Sequence, residues 1–218
     1  MIRGFNPEGE RDLVFVPLGI NYDRTLEDRT QLLGLDQSAK KTGAPRAAWN
    51  AFAFAAHQVG LMLNSEWHRF GYACVNFGTP VSMREFVRER GIDFRKLEKE
   101  ERYARITELG DHLMHSIGKL IPVLPVPLVA LAFERNAGKP LSELEIKSEV
   151  EILIERLEHA GAHIYVPRRD RDYAITAGLR MMLLRHIVQE KDGLYAADPA
   201  ELTLLRYYAN SIAHLLGD

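Results

Sequence analysis

The chain has 218 residues, 46% of them hydrophobic and 27% charged, with a formal net charge of -2. This composition belongs to a globular protein with one sizeable core or two small ones and excludes a wholly disordered chain. The near-neutral balance gives no general attraction to nucleic acid or anionic lipid, so any such contact has to come from a local patch.

The single cysteine, Cys74, rules out an intramolecular disulfide framework, fits a reducing compartment and reads as a packing thiol within an apolar run. No basic region followed by an apolar stretch opens the chain, so no signal peptide is expected. Phe5-Asn-Pro-Glu-Gly-Glu-Arg11 reads as a polar turn feeding a strand over residues 13–20, within Asp12-Leu-Val-Phe-Val-Pro-Leu-Gly-Ile-Asn-Tyr-Asp23. Residues 21–30 form a polar loop leading into a short helix, and 34–45 an exposed connection. Residues 45–63 read as an Ala/aromatic helix that packs in the core or lies on a membrane surface, with Trp49, Phe52 and Phe54 as anchors. A second strand over 72–77, in Gly71-Tyr-Ala-Cys-Val-Asn-Phe-Gly-Thr-Pro80, is closed by Gly78 and Pro80. Both strands are nearly continuous apolar runs, which predicts burial on both faces and a sheet covered by helices. Ser82-Met-Arg-Glu85 has the spacing of a capping box and opens a helix.

From about Asp93 the pattern is almost wholly helical, so the fold class is α/β followed by mostly α, with domains at 1–94 and 95–218. Residues 95–105 form a solvated helix face, and Ile106, Leu109, Leu113 and Ile117 carry helical spacing onward. The apolar stretch 120–133 is too short to cross a bilayer, and its three prolines are expected to break the first part of any helix. Neither this stretch nor any other reads as a transmembrane helix. Ser142-Glu-Leu-Glu145 caps a helix whose apolar stripe is Ile146, Val150, Leu153, Ile154 and Leu157, ending at Gly161. A second stripe runs through Ile175, Leu179, Met182, Leu183 and Ile187. Asp192-Gly193 predicts a hairpin near 187–196, and Asp198-Pro-Ala-Glu201 caps a last helix.

Two helices, a hairpin and a further helix resemble a winged helix. Arg168, Arg169, Arg171, Arg180 and Arg185 are its candidate phosphate contacts, but Asp170, Asp172 and Glu190 dilute that charge. A helical packing domain is therefore preferred, and nucleic acid is not expected as a partner. Arg206, Asn210 and His214 share one face of the last helix, as a polar network or an ordinary polar surface. The pairs His112/His115 and His159/His163 have spacings a metal could use. No Cys accompanies them and Gly161 interrupts the second, so no metal site is expected.

The two strand blocks, followed by Leu204-Leu-Arg-Tyr-Tyr-Ala-Asn-Ser-Ile-Ala-His-Leu-Leu216, resemble the glycerol-3-phosphate acyltransferase family. The first is similar to that family's last conserved block, and the third to a Y-R-N-N-I-A-H stretch in its carboxy-terminal region. With three landmarks in the family's order, the resemblance covers nearly the whole chain. Phe5 to Arg11 is similar to the family's F-P-E-G-x-R phosphate-binding block, but no helix fits between it and the strand, so the turn reading is kept.

The resemblance implies transfer of an acyl chain from acyl-CoA or acyl carrier protein, as co-substrate without a further cofactor, to the 1-hydroxyl of sn-glycerol 3-phosphate in phospholipid synthesis. It also implies a peripheral place on the cytoplasmic side of the inner membrane. The family's catalytic H-x-x-x-x-D motif is absent. The positions five beyond the histidines hold Met62, Ala73, Ile117, Leu120, Ile164, Arg168 and Lys191, and none follows His214. No catalytic residue is therefore assigned, whether the chain is an enzyme stays open, and it is expected to be inactive in isolation. By resemblance, Pro17, Gly19, Asn21 and Tyr22 line the substrate site. The expected partner is the upstream acyltransferase portion, or another protein covering the sheet edge, together with a membrane surface. The alternatives are a freestanding non-catalytic scaffold at the membrane and a winged-helix DNA-binding protein.

Overall fold

The computed structural model describes residues 2–25, 28, 29, 32, 71–136 and 139–217. In chain order the elements are strands β1 (Val14–Phe15), β2 (Leu18–Tyr22), β3 (Ala73–Phe77) and β4 (Val81–Ser82), then helices α1 (Met83–Arg90), α2 (Lys99–Leu120) and α3 (Pro125–Arg135). Strand β5 (Leu141–Ser142), helices α4 (Glu143–His159) and α5 (Arg171–Leu184), the hairpin β6 (Val188–Lys191) and β7 (Leu194–Ala197), and α6 (Leu202–Ala213) follow. The described residues thus begin with short strands and continue mostly as helix, as composition and patterning predict. The connection at 34–45 and the helix at 45–63 lie outside the described residues.

Helix α3 is the centre of the larger core. Its residues from Pro125 to Phe133 are all buried, and α4, α5 and α6 pack around it with Val123, Leu141, Ile187 and Val188. The prolines expected to disrupt this stretch instead start the helix. Pro125 and Pro127 stand in its first turn, where backbone N–H groups have no intrahelical acceptor, so the missing donors cost nothing. At Gly178 of α5 a Cβ would lie 2.6 Å from the Pro125 carbonyl oxygen, so the absent side chain sets how closely α5 approaches α3.

The stripe Ile146, Val150, Leu153, Ile154 and Leu157 is wholly buried. The Ser142 box is complete, with Ser142 Oγ accepting from the Glu145 N–H and the Glu145 carboxylate accepting from the Ser142 N–H. At Ser82 only the forward limb forms, and its hydroxyl donates to Asp12 at 2.6 Å. The hairpin turns at Asp192 and Gly193, both with positive φ, and β5 joins it to give the antiparallel order β5-β7-β6. A smaller core gathers Met83, Phe86, Val87, Ile92 and Phe94 with Leu109 of α2. The rest of the long, charged α2 is exposed or half-buried.

The first strands differ from expectation. The run over 13–20 breaks at Val16 and Pro17 into β1, paired with β4, and β2, paired antiparallel with β3 in the register Gly19↔Asn76, Ile20↔Val75, Asn21↔Cys74. One face of the β2–β3 ribbon presents Gly19, Asn21, Cys74 and Asn76 to the molecule. The other presents Ile20, Tyr22, Val75 and Phe77, which are 41%, 46%, 47% and 71% exposed. Only one face is covered, and the covered face is the polar one. Hydrogen bonding between the strands falls at Pro17/Gly78 and Asp23/Tyr72 and hence at the odd positions of β2. The outward backbone groups of Ala73, Val75 and Phe77 consequently have no backbone partner among the described residues.

Candidate functional site

The covered face of the ribbon serves the end of α2. A helix leaves its last four carbonyls without intrahelical partners, and α2 stops at Leu120 because Pro122 and Pro125 follow. Asn76 Nδ2 donates to the Leu120 carbonyl at 2.8 Å, and Asn21 Nδ2 to that of Pro122 at 2.9 Å. His214 Nε2 lies 3.1 Å from the Gly118 carbonyl oxygen. Gly19 permits the approach, since a Cβ there would lie 2.5 Å from the carbonyl carbon and oxygen of Leu120. Pro17 is buried at the bend before β2, its carbonyl accepting from the Gly78 N–H at 2.9 Å. Burial also pushes the Cys74 thiol upward, as suits a packing group rather than a nucleophile.

Beside this junction a groove of about 620 Å³ runs between β2 and α6, lined by Asn21, Tyr22, Thr25, Arg206, Tyr207 and Asn210 among others. It unites two sets of residues that are nearly 190 positions apart in sequence, and both were singled out from sequence. Asn21 also donates to Ser211 Oγ of α6 at 3.3 Å. The Arg206 guanidinium is two-thirds exposed and 3.9 Å from Glu134. Of the seven candidates, Asn21, Tyr22, Arg206 and Asn210 meet at the groove, whereas Pro17, Gly19 and His214 frame the end of α2. Hydroxyls, amides and one guanidinium suit binding. His159 and His214 point at backbone carbonyls, those of Glu155 and Gly118, and not at carboxylates.

Two carboxylates missed in the sequence fix the site's position. Asp23, at the end of β2, accepts from the Val126 N–H at 2.9 Å and from the Tyr72 N–H at 3.0 Å. Its burial raises its pKa to about 6 despite those two donors. Asp28 forms a buried ion pair with Arg185 at 2.6 Å, their side chains 3% and 10% exposed. The Tyr208 hydroxyl donates to the same carboxylate and accepts from Arg185. Burial first, and the Asp28 hydrogen bond next, push Tyr208 up to about 12. Arg29 adds bonds to Glu201 and to the Arg185 carbonyl. In sequence both acids sat in a polar loop with no periodic signal. Tyr208 lay in the stretch of α6 already singled out, and it was the available clue.

Residues 61–217 match the family model of the glycerol-3-phosphate acyltransferase C-terminal region. The chain is 26% identical over 222 residues to a glycerol-3-phosphate acyltransferase of Pseudomonas entomophila strain L48, covering 98% of this chain and 26% of that protein. It is 27% identical over 225 residues to the one of Pseudomonas putida strain GB-1, again covering 98% and 26%. Against that of Pseudomonas fluorescens strain SBW25 it is 28% identical over 222 residues, covering 98% and 25%. The chain spans about a quarter of the length of these curated relatives.

Proposed function

The chain belongs to the glycerol-3-phosphate acyltransferase family, matching its carboxy-terminal region, and from this we propose that it works as one part of a glycerol-3-phosphate 1-O-acyltransferase. The whole enzyme would move an acyl chain from acyl-CoA or acyl carrier protein to sn-glycerol 3-phosphate for phospholipid synthesis. This part supplies architecture and one wall of the substrate site and does not catalyse alone. The observation that carries the reading is the β2–β3 ribbon. Its apolar face is exposed and the outward groups of β3 have no backbone partner among the described residues, which is the condition expected of strands that belong to a larger sheet. The catalytic portion, which would bring the H-x-x-x-x-D motif absent from this sequence, is the partner that covers it. The groove holding Tyr22 and Asn210 then lies at the seam.

Among the described residues no helix is long and apolar enough to cross a membrane. By analogy with the family, the reading places this part peripherally, on the cytoplasmic side of the inner membrane. The order α3-β5-α4-α5-β6-β7, with β5 against β7, supports a winged-helix-like description of the helical half. A role on DNA is not favoured, because Arg171 is taken by Glu151 and Glu158 and Arg185 by Asp28. The reading is tested by supplying the catalytic portion in trans and measuring whether it binds this chain. Binding that is lost in Phe77→Lys supports the reading, and binding that persists in that variant contradicts it.

A further inference from the structure

Two stretches of extended backbone with unpaired groups border one groove. The first is β3, whose N–H and C=O groups at Ala73, Val75 and Phe77 point away from β2 and have no partner among the described residues. The second is the segment 162–165. Val123 donates to the His163 carbonyl at 2.8 Å and accepts from the Tyr165 N–H at 2.9 Å, which makes a single parallel bridge between Val123 and Ile164. In such a bridge the backbone groups of Ile164 itself turn to the side away from Val123. They too have no partner among the described residues.

The groove is lined by residues 73–76 of β3, by Pro122 and Glu158, and by residues 162–165. The Tyr72 and Tyr165 rings, their centroids 5.1 Å apart, join its two walls at one end. Its volume is about 670 Å³. A strand as long as residues 73–76, at about 3.4 Å per residue, about 4.8 Å from strand to strand and about 10 Å from face to face, occupies roughly 650 Å³. Free donors and acceptors on both walls call for an occupant with backbone groups to spare, which an extended chain has and a helix does not.

We propose that this groove is a slot for one extended strand, which pairs with β3 on one side and with Ile164 on the other, and that the strand belongs to the catalytic portion of the acyltransferase. The slot rests on the reading above and deepens it, because β3 then continues into one strand that the segment 162–165 closes off, and not into an open sheet. Main-chain pairing of this kind gives affinity without requiring a particular side chain. Val75 and Phe77 tie the slot to the surface already assigned to that partner. Their side chains belong to the exposed apolar face and their backbone groups to the slot, so one partner reaches both. The curated relatives carry most of their length outside the region that this chain matches.

The test is residue-resolved amide hydrogen exchange on the full chain, alone and with the catalytic portion added in trans. The amides of Ala73, Val75, Phe77 and Ile164 should exchange freely in the chain alone and become protected together in the complex. Val75→Pro removes an N–H that the β2–β3 ladder does not use, so the isolated variant should keep its Tm. Its affinity for the catalytic portion should fall about fivefold, the effect of one lost hydrogen bond. Protection of the β3 amides without that of Ile164, or unchanged affinity in Val75→Pro, would overturn the slot and leave the reading above intact. Protection of all four amides in the chain alone would mean that the chain itself or a second copy fills the groove, and would overturn the assignment to the catalytic portion. No binding of the catalytic portion to the wild type would overturn both the slot and the reading.

Discussion

The carboxylate of Asp23 caps a helix that begins 102 residues later in sequence, its Oδ1 accepting from the Val126 N–H at 2.9 Å. Leu124, the residue preceding α3, has no side chain able to do so. Pro125 and Pro127 carry no N–H, which leaves Val126 as the donor in need of an acceptor. The same carboxylate binds Tyr72 N–H, so one side chain holds the end of the β2–β3 ribbon to the central helix.

Removing that acceptor by Asp23→Ala leaves two backbone N–H groups unpaired and should cost about 2–4 kcal/mol in urea unfolding. Its pH dependence has a definite sign. Because burial raises the acid from 3.8 to about 6, the folded state holds the proton more tightly than the unfolded chain. Its contribution is therefore fully present below about pH 3.8 and is lost as pH rises through about 6. The stability of wild type relative to Asp23→Asn should fall over that window, by at most about 3 kcal/mol. A flat difference from pH 3.5 to 7 would contradict this account of Asp23 (the window being the approximate one set by these two values).

The end of α2 makes a second prediction. Asn76→Ala and Asn21→Ala each strand a carbonyl and should each cost about 1–3 kcal/mol. Gly19→Ala, which puts a methyl group into the Leu120 backbone, should cost about as much or more. Thermal unfolding of the three variants checks the order.

Arg185→Met leaves the Asp28 carboxylate buried without its partner and should destabilise by about 3–5 kcal/mol. Replacing both residues with apolar ones should recover much of that loss, because the desolvated charges disappear together. A double-mutant cycle read by chemical denaturation measures the coupling.

On the open side of the ribbon the expected effect is the reverse. Val75→Lys and Phe77→Lys remove exposed apolar surface, so the isolated chain should self-associate less without losing stability. Size-exclusion chromatography across a concentration series reads this directly.

These sites also mark how far sequence reasoning reaches. Helix α4 and its Ser142 cap depend on residues within a few positions of one another, and spacing alone identifies them. The ribbon differs from expectation because nearly continuous apolar runs suggest two covered faces, whereas the face that is covered is the one carrying Asn21 and Asn76. Their acceptors lie 101 and 44 residues away, where no local period can show them. Pro125 and Pro127 read as breakers because their place relative to the start of the helix was not fixed until Asp23 was seen beside Val126. Asp28 and Arg185 lie 157 residues apart, so sequence offers Arg185 only as a candidate phosphate contact and gives no sign of its partner. The groove was half visible, since Asn21, Tyr22, Arg206 and Asn210 were each named, although nothing in sequence joined β2 to α6.

The most direct measurement is acyl transfer from an acyl-CoA to radiolabelled sn-glycerol 3-phosphate. It would be made with the purified chain alone, with the catalytic portion added, and with the Phe77→Lys chain in place of the wild type. The account predicts no turnover by the chain alone, turnover when both parts are present, and its loss with Phe77→Lys. Turnover by the chain alone, or turnover unaffected by Phe77→Lys, would contradict it.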